Sequence, residues 1–240
     1  MLTDEEYNEF RHKKLVLNSS TSPDTGEVIP WAMRTSAFVP TNIPIITGML
    51  ISPPGQFYTI FWQWLNQTYN AGLNYGNRNA SSTQTTMELF QAYCIATGTA
   101  IGVAGSLRAL APILLKGQSG GLAEFLNYFI GYSAVASSSS INAWAMRKGE
   151  MSTGISVYDE ATGETIGTSK IAATEAIKRT MISRVVYCLP IFFTPALINT
   201  FLMKAKLMPK SMGLTRVILE CCGVGLGLYI AMPVNCALYP

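Results

Sequence analysis

Long apolar runs alternate with short polar breaks along the chain, and the runs have helical length. Residues 3–17 come first. Thr3 followed by Glu6 fits the S/T-x-x-E capping box. Tyr7, Phe10 and Leu15 give only a mixed face, so a short solvated or interfacial helix is predicted. Phe38–Ser52 is apolar but broken by Pro40, Pro44 and Gly48. It is too short and interrupted to cross about 30 Å of hydrocarbon. It is expected to lie in the interface or to re-enter against the other helices. Pro53, Pro54 and Gly55 then punctuate a new start.

The stretches Phe57–Asn79, Phe90–Leu115, Leu122–Trp144, Met181–Met203 and Val217–Leu238 follow, and each is expected to span a membrane. Gly98, Gly102 and Gly105 in the second, and Gly223, Gly225 and Gly227 in the fifth, are expected to permit close helix packing. Pro190 and Pro195 are expected to kink the fourth. Asn79–Thr86 reads as a loop. Lys148–Lys178 is the longest polar connection, with a hairpin-like turn around Ala161-Thr162-Gly163 and an amphipathic helix over Ser169–Arg179. The predicted fold class is all-α: a multi-spanning membrane helix bundle of about five transmembrane helices, with a short N-terminal helix and interfacial segments. It forms one domain over 1–240, in which 1–55 precedes the bundle at 56–240.

The first spanning stretch carries the chemistry. At about 100° per residue, Gln63, Asn66, Gln67, Asn70, Asn74 and Asn77 fall in one sector roughly 120° wide or less. Phe57, Ile60, Phe61, Trp62, Trp64, Leu65, Leu73 and Tyr75 occupy the other faces. A carboxamide offers donors and an acceptor without charge. Buried in hydrocarbon it must find partners. The stripe therefore reads either as a hydrogen-bonded packing seam or as the wall of a polar path for a small zwitterion. Two charges fall inside apolar runs, Arg108 near the end of the second span and Glu220 near the start of the fifth. With five spans the chain termini fall on opposite sides, both charges approach one face, and they are expected within salt-bridge reach or sharing a polar contact.

Composition points the same way. Hydrophobic residues make up 49% and charged residues 13%, against about 25% charged in ordinary soluble domains. A net charge of +3 gives no field suited to nucleic acid. The five cysteines form no CxxC pair and there is one histidine, so no metal or cofactor site is indicated. No nucleophile–base pair, paired catalytic carboxylates or phosphate loop suggests an enzyme. The acidic start MLTDEEYNEF lacks both an apolar signal core and the Arg-rich pattern of a transit peptide. Nine Lys and Arg fall on the predicted N-terminal side and six on the other, which favours an N-terminus on the positive-inside face.

The string QWLNQTYNAGLNYGNRN resembles the sideroflexins, multi-spanning proteins of the mitochondrial inner membrane. Their pattern there reads approximately Q-W-x-N-Q-S/T-x-N-A-x-x-N-Y-x-N-R, matched by Gln63, Trp64, Asn66, Gln67, Asn70, Ala71, Asn74, Tyr75, Asn77 and Arg78. On physics alone Ser22–Gly26, SPDTG, is an ordinary turn. It resembles the family's HPDTG at Pro23, Asp24, Thr25 and Gly26, with Ser22 where the family has histidine. Asn142, Met146 and Arg147 match a later Asn-bearing stretch, in which Ser139 stands for an expected Asn. MPVNCALYP resembles the family's last span.

The resemblance covers nearly the whole chain. Known members extend further at both ends, so a short form is expected. It implies a mitochondrial inner-membrane transporter of small neutral amino acids, serine above all, feeding one-carbon metabolism; in that membrane the Lys and Arg count favours an N-terminus in the matrix. Gln63, Asn66, Gln67, Asn70, Asn74, Asn77, Arg78, Asn142 and Arg147 would line the solute path, and Arg78 or Arg147 would pair with the solute carboxylate. The alternative is a non-transporting scaffold or accessory subunit of a respiratory-chain assembly, to which the Ser22 and Ser139 departures point. The partners implied are the lipid bilayer, a small amino acid and, for the alternative, other inner-membrane subunits.

Overall fold

The computed structural model describes residues 3–22, 26–77, 85–116, 121–159, 162–207 and 213–239. Among them lie the helices α1 (Asp4–Ser20), α2 (Phe38–Ile51), α3 (Gln56–Gly76), α4 (Thr86–Leu115) and α5 (Gly121–Thr153). The strands β1 (Ile155–Tyr158) and β2 (Thr165–Ser169) follow, then α6 (Lys170–Lys204) and α7 (Leu214–Leu238). Local chemistry sets several starts. Thr3 and Thr85 each close a complete capping box, with Glu6 and Glu88, and the Ser169 hydroxyl accepts from the Ala172 amide. The expected hairpin forms, antiparallel, with Gly163 at φ 70° where a side chain would be strained. Ala161 lies outside the described residues.

Cross-helix contacts fix the directions. On α3 and α4, Gln56 bonds the Gly105 carbonyl and Thr68 meets Tyr93, so these helices run antiparallel. On α5 and α6, Ser140 reaches Met181 and Asn199 reaches Tyr128. On α6 and α7, Asn199 meets Glu220, and Pro190 lies against Gly227. On α2 and α7, Thr47 meets Cys221. α3 and α5 run parallel, joined by Gln67–Ser138 and Asn74–Met146. The bundle therefore has an Asn77 end and an Arg108 end. The hydrophobic core runs through its middle, with Phe192 wholly buried among Ile45, Ile46, Tyr128, Ile191, Val224 and Leu228.

Three helices, α4, α6 and α7, are long and apolar enough to cross a membrane. α3 and α5, expected as two further spans, have the length, but the amide stripe and the Ser137–Ser140 run dilute their apolar character. The bundle is a multi-pass membrane fold.

Of the two placements expected for this stretch, in the interface or re-entering against the other helices, α2 takes the second. It is a helix whose residues 45–50 are all buried, and it runs from the Asn77 end toward the Arg108 end. Gly48 permits this, because a Cβ there would enter the Trp62 indole, whose Nε1 donates to Ser52 at 2.6 Å. This extra pass along the bundle changes the topology. The segment after α1 lies at the Asn77 end, where Asn77 Nδ2 donates to the Met33 carbonyl at 2.7 Å. The last turn of α7 lies there too, with Arg179 over the Tyr239 ring. The chain enters and leaves the bundle at one end, not at opposite ends.

Gly223 and Gly227 do sit against α6, but Gly98 and Gly102 face open space and Gly105 meets only the Gln56 side chain. The small residues of α4 that pack inward are alanines: Ala92, Ala96, Ala100 and Ala104 are buried.

Candidate functional site

α3 positions the stripe. Its aromatic faces point outward, with Phe57, Tyr58, Phe61 and Trp64 exposed, while Gln63, Asn66 and Gln67 are 2%, 2% and 4% exposed. Asn66, Gln67, Asn70 and Asn74 line a cavity of about 340 Å³ at the Asn77 half of the bundle. α5 brings Ser139, Asn142 and Arg147 to the same space, α2 brings Asn42, and α6 brings Thr180, Arg184 and Tyr187. Phe38, Ile46, Phe192 and Leu228 supply apolar walls. A second opening of about 460 Å³ between α3 and α4 shares Gln67, Asn70, Asn74 and Asn142.

Some amide capacity is spent on the fold. Gln67 Nε2 donates to Ser138 at 2.7 Å, and Asn74 and Asn142 donate to the Met146 sulfur at 3.7 and 3.8 Å. Some is not. The buried Asn66 Nδ2 and Gln63 Oε1 have no hydrogen-bond partner among the described residues. A buried polar atom left unmet costs about 1–3 kcal/mol. Asn70, at the cavity wall, makes no side-chain hydrogen bond to a described residue.

The charges separate into two roles. Arg147 is held by Glu150 one turn on, through contacts of 2.7–3.1 Å to both carboxylate oxygens. Its charge is already matched. Arg184 also lines the cavity and has no carboxylate in ion-pair range among the described residues.

The other sequence-predicted residues fall elsewhere. Gln63 lies beyond the cavity, donating to the Met49 sulfur at 3.8 Å. Asn77 ties α3 to the N-terminal segment through Met33 and Thr35 and is not a wall residue. Arg78, Pro23, Asp24 and Thr25 lie outside the described residues. Ser22 and Gly26 close the turn, with the Gly26 amide donating to the Ser22 carbonyl at 2.9 Å and Gly26 at φ 69°. The Ser22 hydroxyl is buried without a partner among the described residues, and it does not line the cavity.

Arg108 and Glu220 do not form an ion pair. Arg108 donates to Thr59 at 3.2 Å and Asn127 at 2.5 Å. Glu220 accepts from Tyr128 at 2.8 Å and Asn199 at 2.6 Å. The reason is register: Asn127 and Tyr128 are neighbours on α5 but face different helices, so each takes one of the two charges. The ion pair that does form at this end is Arg216–Glu124, at 2.9 Å.

Sequence reasoning missed Asn42, Thr180, Arg184 and Tyr187 as wall residues. Asn42 is a lone amide between prolines and Arg184 a lone charge near the start of an apolar run, which is the signal each offered.

The family model for sideroflexins matches residues 2–240. Sideroflexin FSF1 of Saccharomyces cerevisiae is 34% identical over 232 residues, 97% of this chain and 70% of the relative. Sideroflexin-5 of Homo sapiens is 35% identical over 219 residues, 91% of this chain and 63% of the relative. Sideroflexin-3 of Homo sapiens is 36% identical over 227 residues, 95% and 68% respectively. The chain thus spans about two thirds of the length of the curated relatives it matches. No solved structure matches. With the family model covering the stripe, the cavity and every helix around it, the chain belongs to the sideroflexin family.

Proposed function

We propose that this protein carries small neutral amino acids, serine foremost, across the mitochondrial inner membrane. One observation carries the reading: amides from α2, α3 and α5 converge on a single cavity within a membrane bundle, with Arg184 at its wall. Uncharged donors and acceptors suit a zwitterion, because they satisfy both its ends without fixing either. An unpaired guanidinium adds a fork for the carboxylate. The cavity has room for a solute of several heavy atoms with some of its water. A path lined by amides in this way is a costly way to build mere packing, since each unmet atom weakens the fold. In this reading the protein is a carrier and not an enzyme, and serine delivered to the matrix would feed one-carbon metabolism.

The test is uptake of labelled serine into liposomes holding the purified protein, beside an Asn70→Leu, Asn74→Leu double variant. Uptake by the wild type that falls at least tenfold in the folded variant supports the carrier. No uptake by the inserted wild type overturns it and favours the non-transporting scaffold of a respiratory-chain assembly.

A further inference from the structure

The cavity is the first of three spaces set in series through the bundle, each with polar side chains in its wall. The second is a small chamber of about 20 Å³ lined by Gln63, Thr59, Ser52, Asn127 and Arg108, enough for about one water. The third is a groove of about 690 Å³ that also includes Arg108 and Asn127, with Gln56 at its wall and the Arg216–Glu124 pair beside them. The helix directions place these spaces. The cavity takes the Asn77 half of every helix that lines it: 38–46 of α2, 66–74 of α3, 135–147 of α5, 180–192 of α6 and Leu228 of α7. The groove takes the opposite half: 50–56, 108–115, 123–128 and Arg216.

Between them lies a closed seam. Gln67 donates to Ser138 at 2.7 Å and Gln63 to the Met49 sulfur at 3.8 Å. The Phe192 ring, a cavity wall, fills the space over Gly131, which lines the chamber, so closely that a Cβ there would lie 2.7 Å from its Cε1. Of the two unmet amide atoms, Gln63 Oε1 belongs to this seam and Asn66 Nδ2 to the cavity wall beside it. Beyond it stands Arg108. Both of its hydrogen-bond partners are neutral, Thr59 and Asn127, and no carboxylate among the described residues lies in ion-pair range. The Asn127 amide is itself anchored to the Leu50 carbonyl at 2.8 Å, which holds its oxygen toward the guanidinium. A guanidinium positioned by neutral acceptors keeps its charge for an incoming anion.

We infer that Gln63, Gln67, Ser138, Met49 and Phe192 form a closed gate, and that Arg108 with Asn127 and Thr59 is a second carboxylate-binding station on its far side. This rests on the carrier reading for its ligand, the carboxylate of the carried amino acid. The gate itself does not need that reading. The unmet atoms of Gln63 and Asn66 become satisfied when a solute passes between them, which makes the seam a low-cost barrier to open.

The experiment has two arms. In a variant with all native cysteines replaced, Asn74→Cys and Gln56→Cys are labelled separately in oriented proteoliposomes with a charged, membrane-impermeant thiol reagent. The Asn74→Cys protein should react from one face only and the Gln56→Cys protein from the other only. With no amino acid added, reaction of both from the same face, or of Asn74→Cys from both faces, overturns the gate. This arm is decided even if no amino acid is carried, so its failure and that of the carrier reading are distinct.

In the second arm, serine uptake is compared for wild type, Arg108→Lys and Arg108→Gln, with serine binding in detergent as the control. Uptake should fall at least tenfold in Arg108→Gln and less in Arg108→Lys, while serine binding to the cavity changes less than twofold. Unchanged uptake in Arg108→Gln overturns the station. So does an anionic lipid retained by the wild type and lost from Arg108→Gln in native mass spectrometry, since the charge then serves a headgroup. Wild type that neither binds nor carries serine overturns the station together with the carrier reading, and leaves the gate to the labelling arm.

Discussion

At the scale of single residues, the structure distinguishes two arginines that look alike in sequence. Arg147 is matched by Glu150 and Arg184 is not. Losing an unmatched, charge-assisted contact to a carboxylate costs about 1.5–3 kcal/mol. In the proposed carrier, Arg184→Gln should therefore raise the half-saturation concentration for serine uptake at least tenfold. Arg147→Gln should change it less than threefold, because its ion pair serves the end of α5. Equal effects in the two uptake curves would contradict this assignment. Gly48 is a second such residue. Its missing side chain is what lets the Trp62 ring lie on α2. Gly48→Ala overpacks that contact, and a loss of about 1–3 kcal/mol is expected. Thermal unfolding in detergent should show a lowered midpoint. Trp62→Phe in the same background should restore part of it, because a smaller ring vacates the space.

Among the helices, the same residue type has opposite value on different elements. On α7, a Cβ at Gly227 would lie 2.8 Å from the Ile191 Cα and one at Gly223 would lie 2.9 Å from the Pro195 Cα. Backbone cannot move aside as a side-chain tip can. On α4, Gly98 and Gly102 have nothing near. Gly227→Ala should therefore lower the unfolding midpoint markedly, while Gly102→Ala should leave it equal or raise it, since alanine favours a helix over glycine by about 1 kcal/mol. A midpoint that drops equally for both would show that the α6–α7 contact is not tight.

This contrast also shows what a single sequence holds. The stripe on α3 was legible because its amides recur with the helix period on one element, and a period is local information. The capping residue Thr3 and the hairpin were legible for the same reason. The glycines of α4 and α7 look alike in sequence and differ only by which neighbour stands opposite. The rest of the cavity wall was hidden likewise. Asn42, Thr180 and Arg184 are isolated polar positions on other helices, and only packing brings them beside Asn70. The prolines and length of α2 argue against a span and leave it either in the interface or against the other helices. Its burial comes from α3 and α7 closing over it, which no pattern within residues 38–52 could reveal.

For the whole molecule, the buried pass of α2 along the bundle redistributes the charges between the two ends. Arg34, Arg147, Lys148, Lys170, Lys178 and Arg179 belong to the Asn77 half or its connections, and Arg11, Lys13 and Lys14 lie on α1, which leads into that end. Lys116, Lys204, Lys206 and Arg216 belong to the other. The excess now favours the Asn77 end, more strongly than the nine-to-six count made on five crossings. By the positive-inside rule that end faces the matrix in the proposed inner-membrane setting. The cavity with Arg184 would then open toward the matrix, and Arg108 would face the intermembrane space. In mitoplasts, an epitope placed ahead of Thr3 and one placed after Tyr239 should both be shielded from added protease, and one placed at Lys206 should be cut. If the two terminal epitopes differ in protection, α2 does not complete a crossing and the chain returns to the five-span topology. If both are cut and Lys206 is shielded, the crossing stands but the orientation is reversed, and Arg108 becomes the charge that meets a solute on the matrix side.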